Sequence, residues 1–210
     1  MAFDFKKEYR EFYLPKNRPE LVTVPPVQYV AVRGAGDPNQ EGGAYKAAIG
    51  VLYALAYTIK MSKLGPRQPE GYFDFVVPPL EGFWWQEGVS GVDYAQKAAF
   101  QWISCIRLPE FVTPEVFAWA QEEAARKKQQ DTSAARLLTV EEGLCVQMMH
   151  HGAFDEEPAS VQRMEQFLAE NGYICDFESG RRHHEIYLTD VRRVPPERWK
   201  TVIRLPIRKA

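Results

Sequence analysis

The chain has 210 residues, 45% of them hydrophobic and 26% charged, with 26 basic against 28 acidic residues for a net charge of −2. Such a length and composition can bury a substantial core in one large or two small domains, and the near balance of charge removes the strong basic footprint of a nucleic-acid binder. The longest apolar stretch, 47–57, falls far short of the roughly 20 residues of a membrane span.

In chain order, residues 1–25 mix polar and aromatic residues with Pro15, Pro19 and Pro25, followed by Pro26, and read as an N-terminal extension packed on the surface. Residues 27–34 alternate as a strand, which Gly34, Gly36 and Pro38 stop. Tyr45, Ile49, Leu52, Ala56 and Ile59 recur at helical spacing and predict an amphipathic helix over 44–61. The β-rich run 73–85 is interrupted by Pro78 and Pro79, which predicts an edge, bulge or bend. A strand over 99–108 has Phe100, Trp102 and Ser104 on one face.

Thr113-Pro114-Glu115 is a helix start: a hydroxyl cap, a proline at the first position and an acid in the first turn. The helix runs to about 128, and a polar stretch, 129–133, follows. The pattern then repeats: strands over 137–140 and 144–150, a helix over 158–171 closed by Gly172, and strands over 184–188 and 200–207.

Short words recur in the same order in the two halves. Gly34-Ala35-Gly36-Asp37 is echoed by Gly152-Ala153-Phe154-Asp155, Leu80-Glu81-Gly82-Phe83 by His184-Glu185-Ile186-Tyr187, and Ile106-Arg107-Leu108-Pro109 by Ile203-Arg204-Leu205-Pro206, at separations of 118, 104 and 97 residues. A duplicated unit of about 100 residues follows. The expected organisation is an α+β domain over 26–210: a β-α-β-β repeat over about 26–110, a connecting helix over about 113–128, and a second repeat over about 136–208. Two such repeats around a pseudo-twofold axis leave a central cleft, a favoured place for a small-molecule site.

Strand side chains alternate, so His183, Glu185 and Tyr187 share one face of their strand. The matching words put Glu81, Phe83 and Trp85 on one face of the earlier strand and Trp84 on the other. If the halves face each other, two glutamates and several rings converge, and Trp85 rather than Trp84 lines the cleft. Aromatics make up 13% of the chain. Rings supply stacking and cation–π attraction, and a partly desolvated carboxylate supplies a counter-charge or a general base with a raised pKa. Glu185 has a second reading, as a rim carboxylate satisfied by Arg181 or Arg182.

Other chemistry finds little support. Adjacent histidines on a strand face opposite ways, so His150-His151 and His183-His184 offer one ligand per side, without a metal-binding spacing; no metal and no cofactor are expected. Gly34-Ala35-Gly36 lacks the remaining residues of a phosphate loop, and no GxSxG occurs. The odd, widely spaced Cys105, Cys145 and Cys175 read as reduced, mostly buried thiols. With a charged stretch over 1–10 unlike a secretory signal, a soluble cytoplasmic protein is expected.

Residues 150–158 (HHGAFDEEP), 183–190 (HHEIYLTD) and 201–206 (TVIRLP), with 79–85 (PLEGFWW) in the first half, resemble the GyrI-like small-molecule-binding family, in its stand-alone branch. The resemblance covers roughly residues 20–208. It implies two tandem β-α-β-β units forming a cleft that binds hydrophobic, often cationic drugs or dyes against a central glutamate, here Glu185. Some stand-alone members are similar to hydrolases that open the cyclopropane of DNA-alkylating natural products. There the equivalent of Glu185 assists water attack, a role that Tyr187 and the Trp84-Trp85 pair fit as ligand contacts. The implied site is therefore Glu185 and Tyr187 as catalytic groups, with Glu81, Phe83, Trp84, Trp85, Trp102 and His183 around the ligand. The expected partner is a flat hydrophobic or cationic small molecule, bound for protection, with neither nucleic acid nor membrane. Hydrolysis of that ligand is the enzymatic alternative, and a macromolecular partner, as for a gyrase inhibitor, is the third.

Overall fold

The computed structural model describes residues 2–65, 67–178 and 180–210. Two short helical turns, α1 (Phe5–Glu8) and α2 (Arg10–Tyr13), precede strands β1 (Glu20–Val24) and β2 (Val27–Ala35). Helix α3 (Ala44–Lys60) and strands β3 (Leu80–Trp85) and β4 (Gln101–Arg107) complete the first half. Helix α4 (Pro114–Lys128) and strand β5 (Ala135–Val140) lead into β6 (Gly143–His151), α5 (Glu157–Glu170), β7 (Tyr173–Cys175), β8 (His183–Tyr187) and β9 (Lys200–Lys209). β-α-β-β thus occurs twice, as β2-α3-β3-β4 and β6-α5-β8-β9, with the small β7 added in the second.

Local chemistry sets these limits. The Thr113 hydroxyl accepts from the Val116 amide and Pro114 opens α4, which ends at Gln129 in the left-handed region. Ala48, Leu52, Leu55, Ala56 and Ile59 bury one face of α3, and α4 lays Phe117, Ala120 and Ala124 into the same core. Met164 and Leu168 of α5 pack with Val146, Met148 and Leu205 in a second core. The run expected as strand from 73 forms one only from Leu80, because Pro78 and Pro79 have no amide hydrogen for a ladder.

The sheet has nine strands, ordered β1-β6-β9-β8-β3-β4-β2-β5, with β7 beside β9. All the pairings between strands are antiparallel. The halves meet at β3 and β8, where Leu80 lies opposite Tyr187, Gly82 opposite Glu185 and Trp84 opposite His183. The edges are exchanged: β1 runs into β2 but pairs with β6, and β5 runs into β6 but pairs with β2. Residues 1–25, expected as a surface extension, therefore supply an edge strand of the opposite half, and Phe5 and Tyr13 are fully buried.

The ladder also settles how the repeats correspond. Arg107 pairs with Tyr29 as Arg204 pairs with Gln147, in keeping with the repeated Ile-Arg-Leu-Pro word. Two positions earlier, Cys105 pairs with Glu81 while Val202 pairs with Ile186. Glu81 thus corresponds to Ile186, and Glu185 to Leu80. The match of Glu81 with Glu185 is corrected by one residue, and because strand side chains have a period of two, that residue moves Glu81 to the other face of the sheet.

Candidate functional site at the centre of the sheet

On the face that carries α3 and α5, a cleft of about 1370 Å³ opens over β3 and β8. Tyr45, Tyr53 and Tyr57 of α3 line one side, Phe154 and Trp199 another, and Trp84, Tyr187, Glu157 and Glu185 lie at its floor. Local strand alternation holds for β8: His183, Glu185 and Tyr187 point together. The His183 Nε2–H donates to Glu185 Oε1 at 2.9 Å, and the Tyr187 hydroxyl donates to Oε2 at 2.8 Å. Tyr187 in turn accepts from Trp84 Nε1–H at 2.9 Å. Gly82, opposite Glu185, leaves room for this, since a Cβ there would stand 2.6 Å from Trp84 Nε1 and 3.1 Å from the Tyr187 oxygen.

A second carboxyl joins them. Glu157, the first residue of α5, is fully buried, and its Oε2 accepts from the Tyr94 hydroxyl at 3.2 Å. Oxygen atoms of Glu157 and Glu185 and a ring nitrogen of His183 lie within 4.8 Å of one another. Burial, then the charge of Glu185 and a hydrogen bond to it, push the Glu157 carboxyl well above the usual range. Burial pushes Glu185 up too, but His183, Tyr187 and Glu157, all hydrogen bonded to it, hold it below the usual range, which corrects the raised value expected from desolvation alone. The Glu157 Oε1 finds no partner as an ionised oxygen; protonated, it donates toward Glu185. Burial and the Glu185 charge raise Tyr187 well above its ordinary value, so it remains a neutral donor. The floor therefore holds a carboxylic acid beside a carboxylate. The same three residues could reach a shared divalent ion, but as arranged they satisfy one another.

The remaining sequence-derived candidates separate. Trp84 lies in the cleft and Trp85 does not, the reverse of the parity argument, because the register puts Gly82 and Trp84, not Glu81, on the Glu185 face. Trp85 lies between the guanidinium groups of Arg33 and Arg182, at 5.2 and 4.8 Å from its ring. Phe83 stacks on His184 on the far face with centroids 4.0 Å apart. Glu81, also on the far face, accepts from the Tyr13 hydroxyl at 3.1 Å and lies 3.0 Å from His184 Nε2. Trp102 is on the cleft face but buried behind it, against Gly34 and edge-on to Tyr45. Arg181 pairs with Asp176 at 2.8 Å and Arg182 stacks on Trp85, so neither is the partner that a rim role for Glu185 required.

The far face carries its own polar network. His184 Nδ1 contacts Glu142 Oε2 at 2.9 Å, and Arg204 donates to Glu142 Oε1 at 2.7 Å and to the Phe12 carbonyl at 2.7 Å. Arg107, the repeat counterpart of Arg204, stacks on Phe5 and Tyr9 at 4.7 and 4.3 Å. The duplicated arginines thus clasp the N-terminal segment over the back of the site. Burial raises all three thiols, Cys145 to about 12 and Cys175 to about 11, which leaves them poor nucleophiles.

Sequence reasoning missed Glu157, Tyr94 and Tyr45. Glu157 stood inside a quoted motif, immediately before Pro158, but an acid in the first turn of a helix is ordinarily explained by the helix dipole. Tyr94 lies in an irregular connection, where no periodicity points anywhere.

A model of the GyrI-like small molecule binding domain matches residues 17–208. The chain belongs to this family. Among solved structures, a hydrolase from Listeria innocua is 48% identical, with 99% of this chain and 100% of that one covered and a TM-score of 0.90. An uncharacterized conserved protein from the same organism is 50% identical over 99% and 100% of the two chains, with a TM-score of 0.92. The C-terminal domain of EcmrR shares the fold alone, at 11% identity over 92% and 98% and a TM-score of 0.56. No curated protein matches significantly. As a GyrI-like domain, the chain is built to bind a small molecule. Among the described residues no helix is long and apolar enough to cross a membrane.

Proposed function

We propose that the cleft takes a flat, largely apolar electrophile and that the chain hydrolyses it, with Glu185 as the base that activates water. The observation that carries this reading is the Glu185 carboxylate, fixed by His183 and Tyr187 at the floor of an aromatic cleft. Burial strengthens its interactions, since few water dipoles compete, and its hydrogen bonds orient it for an incoming water. The 48%-identical Listeria innocua protein, named a hydrolase, supports the same reaction class. The substrate class that fits is the cyclopropane of DNA-alkylating natural products, conjugated to a carbonyl. Water oxygen bonds to the ring carbon, the strained carbon–carbon bond breaks, and its electron pair moves to the carbonyl oxygen. Glu185 takes the water proton, and the new oxyanion takes one from solvent. Tyr187 and Trp84 hold the floor while the α3 tyrosines face the ring system.

A second reading, capture of a planar lipophilic cation without turnover, rests on the same ionised carboxylate among rings. One experiment separates them. Purified protein is incubated with such an alkylator, and the hydrated product is followed by mass spectrometry. Turnover by wild type with a loss of on the order of 100-fold or more in Glu185→Gln supports the hydrolase. Saturable binding of a rhodamine dye with no hydrated product moves the function to capture, and turnover undiminished in Glu185→Gln rejects Glu185 as the base.

A further inference from the structure

We propose that Glu157 is the proton partner of Glu185: the two carboxyls hold one proton, on Glu157, and Glu157 with Tyr94 carries the proton taken from water to a neighbouring cavity. The relay rests on the hydrolase reading; the shared proton does not.

Hydrogen-bond geometry makes the assignment. Glu185 accepts from two protein donors, His183 at 2.9 Å and Tyr187 at 2.8 Å, whereas Glu157 has the more distant Tyr94 hydroxyl, at 3.2 Å, and the Thr201 hydroxyl as its donor neighbours among the described residues. Two buried carboxylates this close cannot both ionise without a cation between them. The titratable and polar groups facing the pair are His183 and Tyr187 from β8, Tyr94 from the β3–β4 connection, Tyr45 from α3 and Thr201 from β9. Only His183 among them can carry positive charge, and its Nε2 is committed to Glu185. The start of α5 favours an anion at Glu157, but its burial and the neighbouring charge outweigh this.

Tyr94 supplies an exit. It lines both the main cleft and a side cavity of about 670 Å³ bounded by Asp37, Lys97 and Asp155. When Glu185 takes the water proton, the Glu157 O–H turns from Glu185 toward the Tyr94 oxygen and the Tyr94 O–H, which donates to Glu157 at rest, turns to water in the side cavity; Glu157 then passes its proton to Tyr94 as Tyr94 releases its own. The proton on Glu185 then moves to Glu157, and the pair is back to one proton. Nothing is oxidised or reduced. Glu157 acts through Glu185, as a positioning and proton-holding residue.

The shared proton is read directly by infrared spectroscopy of the full-length, ligand-free protein with 13C-labelled glutamate. At neutral pH a protonated carboxyl band should be present in wild type, kept in Tyr94→Phe and lost in Glu157→Gln. Absence of that band in wild type, or its survival in Glu157→Gln, overturns the pair. The relay is read from the pH profile of kcat on the cyclopropane alkylator. Wild type should lose activity on the alkaline side as the pair gives up its proton. Glu157→Gln should lower kcat by on the order of 100-fold and lack that alkaline limb; Tyr94→Phe should keep the limb and lower kcat with a changed solvent isotope effect. A merely structural Glu157 would scale the whole profile without changing its shape, and that result overturns the relay. Absence of turnover in wild type sinks the hydrolase reading and the relay together, while the infrared band still decides the pair.

Discussion

Removing one charge on the far face should cost more stability than any substitution at the surface, and with a diagnostic pH dependence. Glu142 lies in the β5–β6 turn, buried, between His184 and Arg204 at 2.9 and 2.7 Å. Burial alone would raise its carboxyl, but the charges and hydrogen bonds of His184 and Arg204 prevail and hold it at about 2 against an ordinary 4.5. At about 1.4 kcal/mol per pKa unit, the difference is worth about 3 kcal/mol at neutral pH. Removing one partner of a buried ion pair costs about 3–5 kcal/mol in measured cases, so the two routes agree. For a depressed carboxyl, the stabilisation is present above the ordinary 4.5 and lost as pH falls through about 2. His184 runs the other way: burial lowers its affinity for a proton, but Glu142 and Glu81 raise it above 6.5 overall. Its contribution is complete below 6.5 and lost as pH rises through the raised value. The network is therefore at full strength between 4.5 and 6.5. In urea at pH 5.5, Glu142→Gln should lower the midpoint by on the order of 1–2 M. It should also abolish most of the acid loss between 4.5 and 2, and bring the alkaline loss to lower pH as His184 keeps only Glu81. A cost under about 1 kcal/mol, the worth of an exposed pair, or an unchanged acid limb would refute the reasoning.

Two further outcomes test the cleft itself. Gly82→Ala puts a methyl 2.6 Å from Trp84 Nε1; it should displace the indole from Tyr187, cost about 1–3 kcal/mol of stability and weaken dye binding. Wild-type binding by that variant would mean that the Trp84–Tyr187 bond does not shape the site. Ligand quenching of tryptophan fluorescence should fall in Trp84→Leu, leaving a remainder from Trp199, and persist in Trp85→Leu; the reverse pattern would contradict the observed faces.

Much of this architecture is local and was legible in the chain. Apolar spacing marks α3, α4 and α5, Thr113-Pro114 and Gly172 mark helix ends, and alternation puts His183, Glu185 and Tyr187 on one face, because each depends only on neighbours within a turn or along one strand. What the chain alone could not determine depends on how strands meet. The repeated words align Glu81 with Glu185, yet the ladder shifts them by one residue. A one-residue offset exchanges the two faces of a strand, so Trp84 instead of Trp85 enters the cleft and Glu81 joins His184 behind it. The exchange of β1 and β5 between halves rests on pairing across more than 100 residues of chain in each case. Glu157 reaches Glu185 only because packing of α5 on β6 and β7 brings the first turn of that helix over β8. Sequence periodicity chooses which way a side chain points from its own element; only tertiary packing decides what stands opposite it.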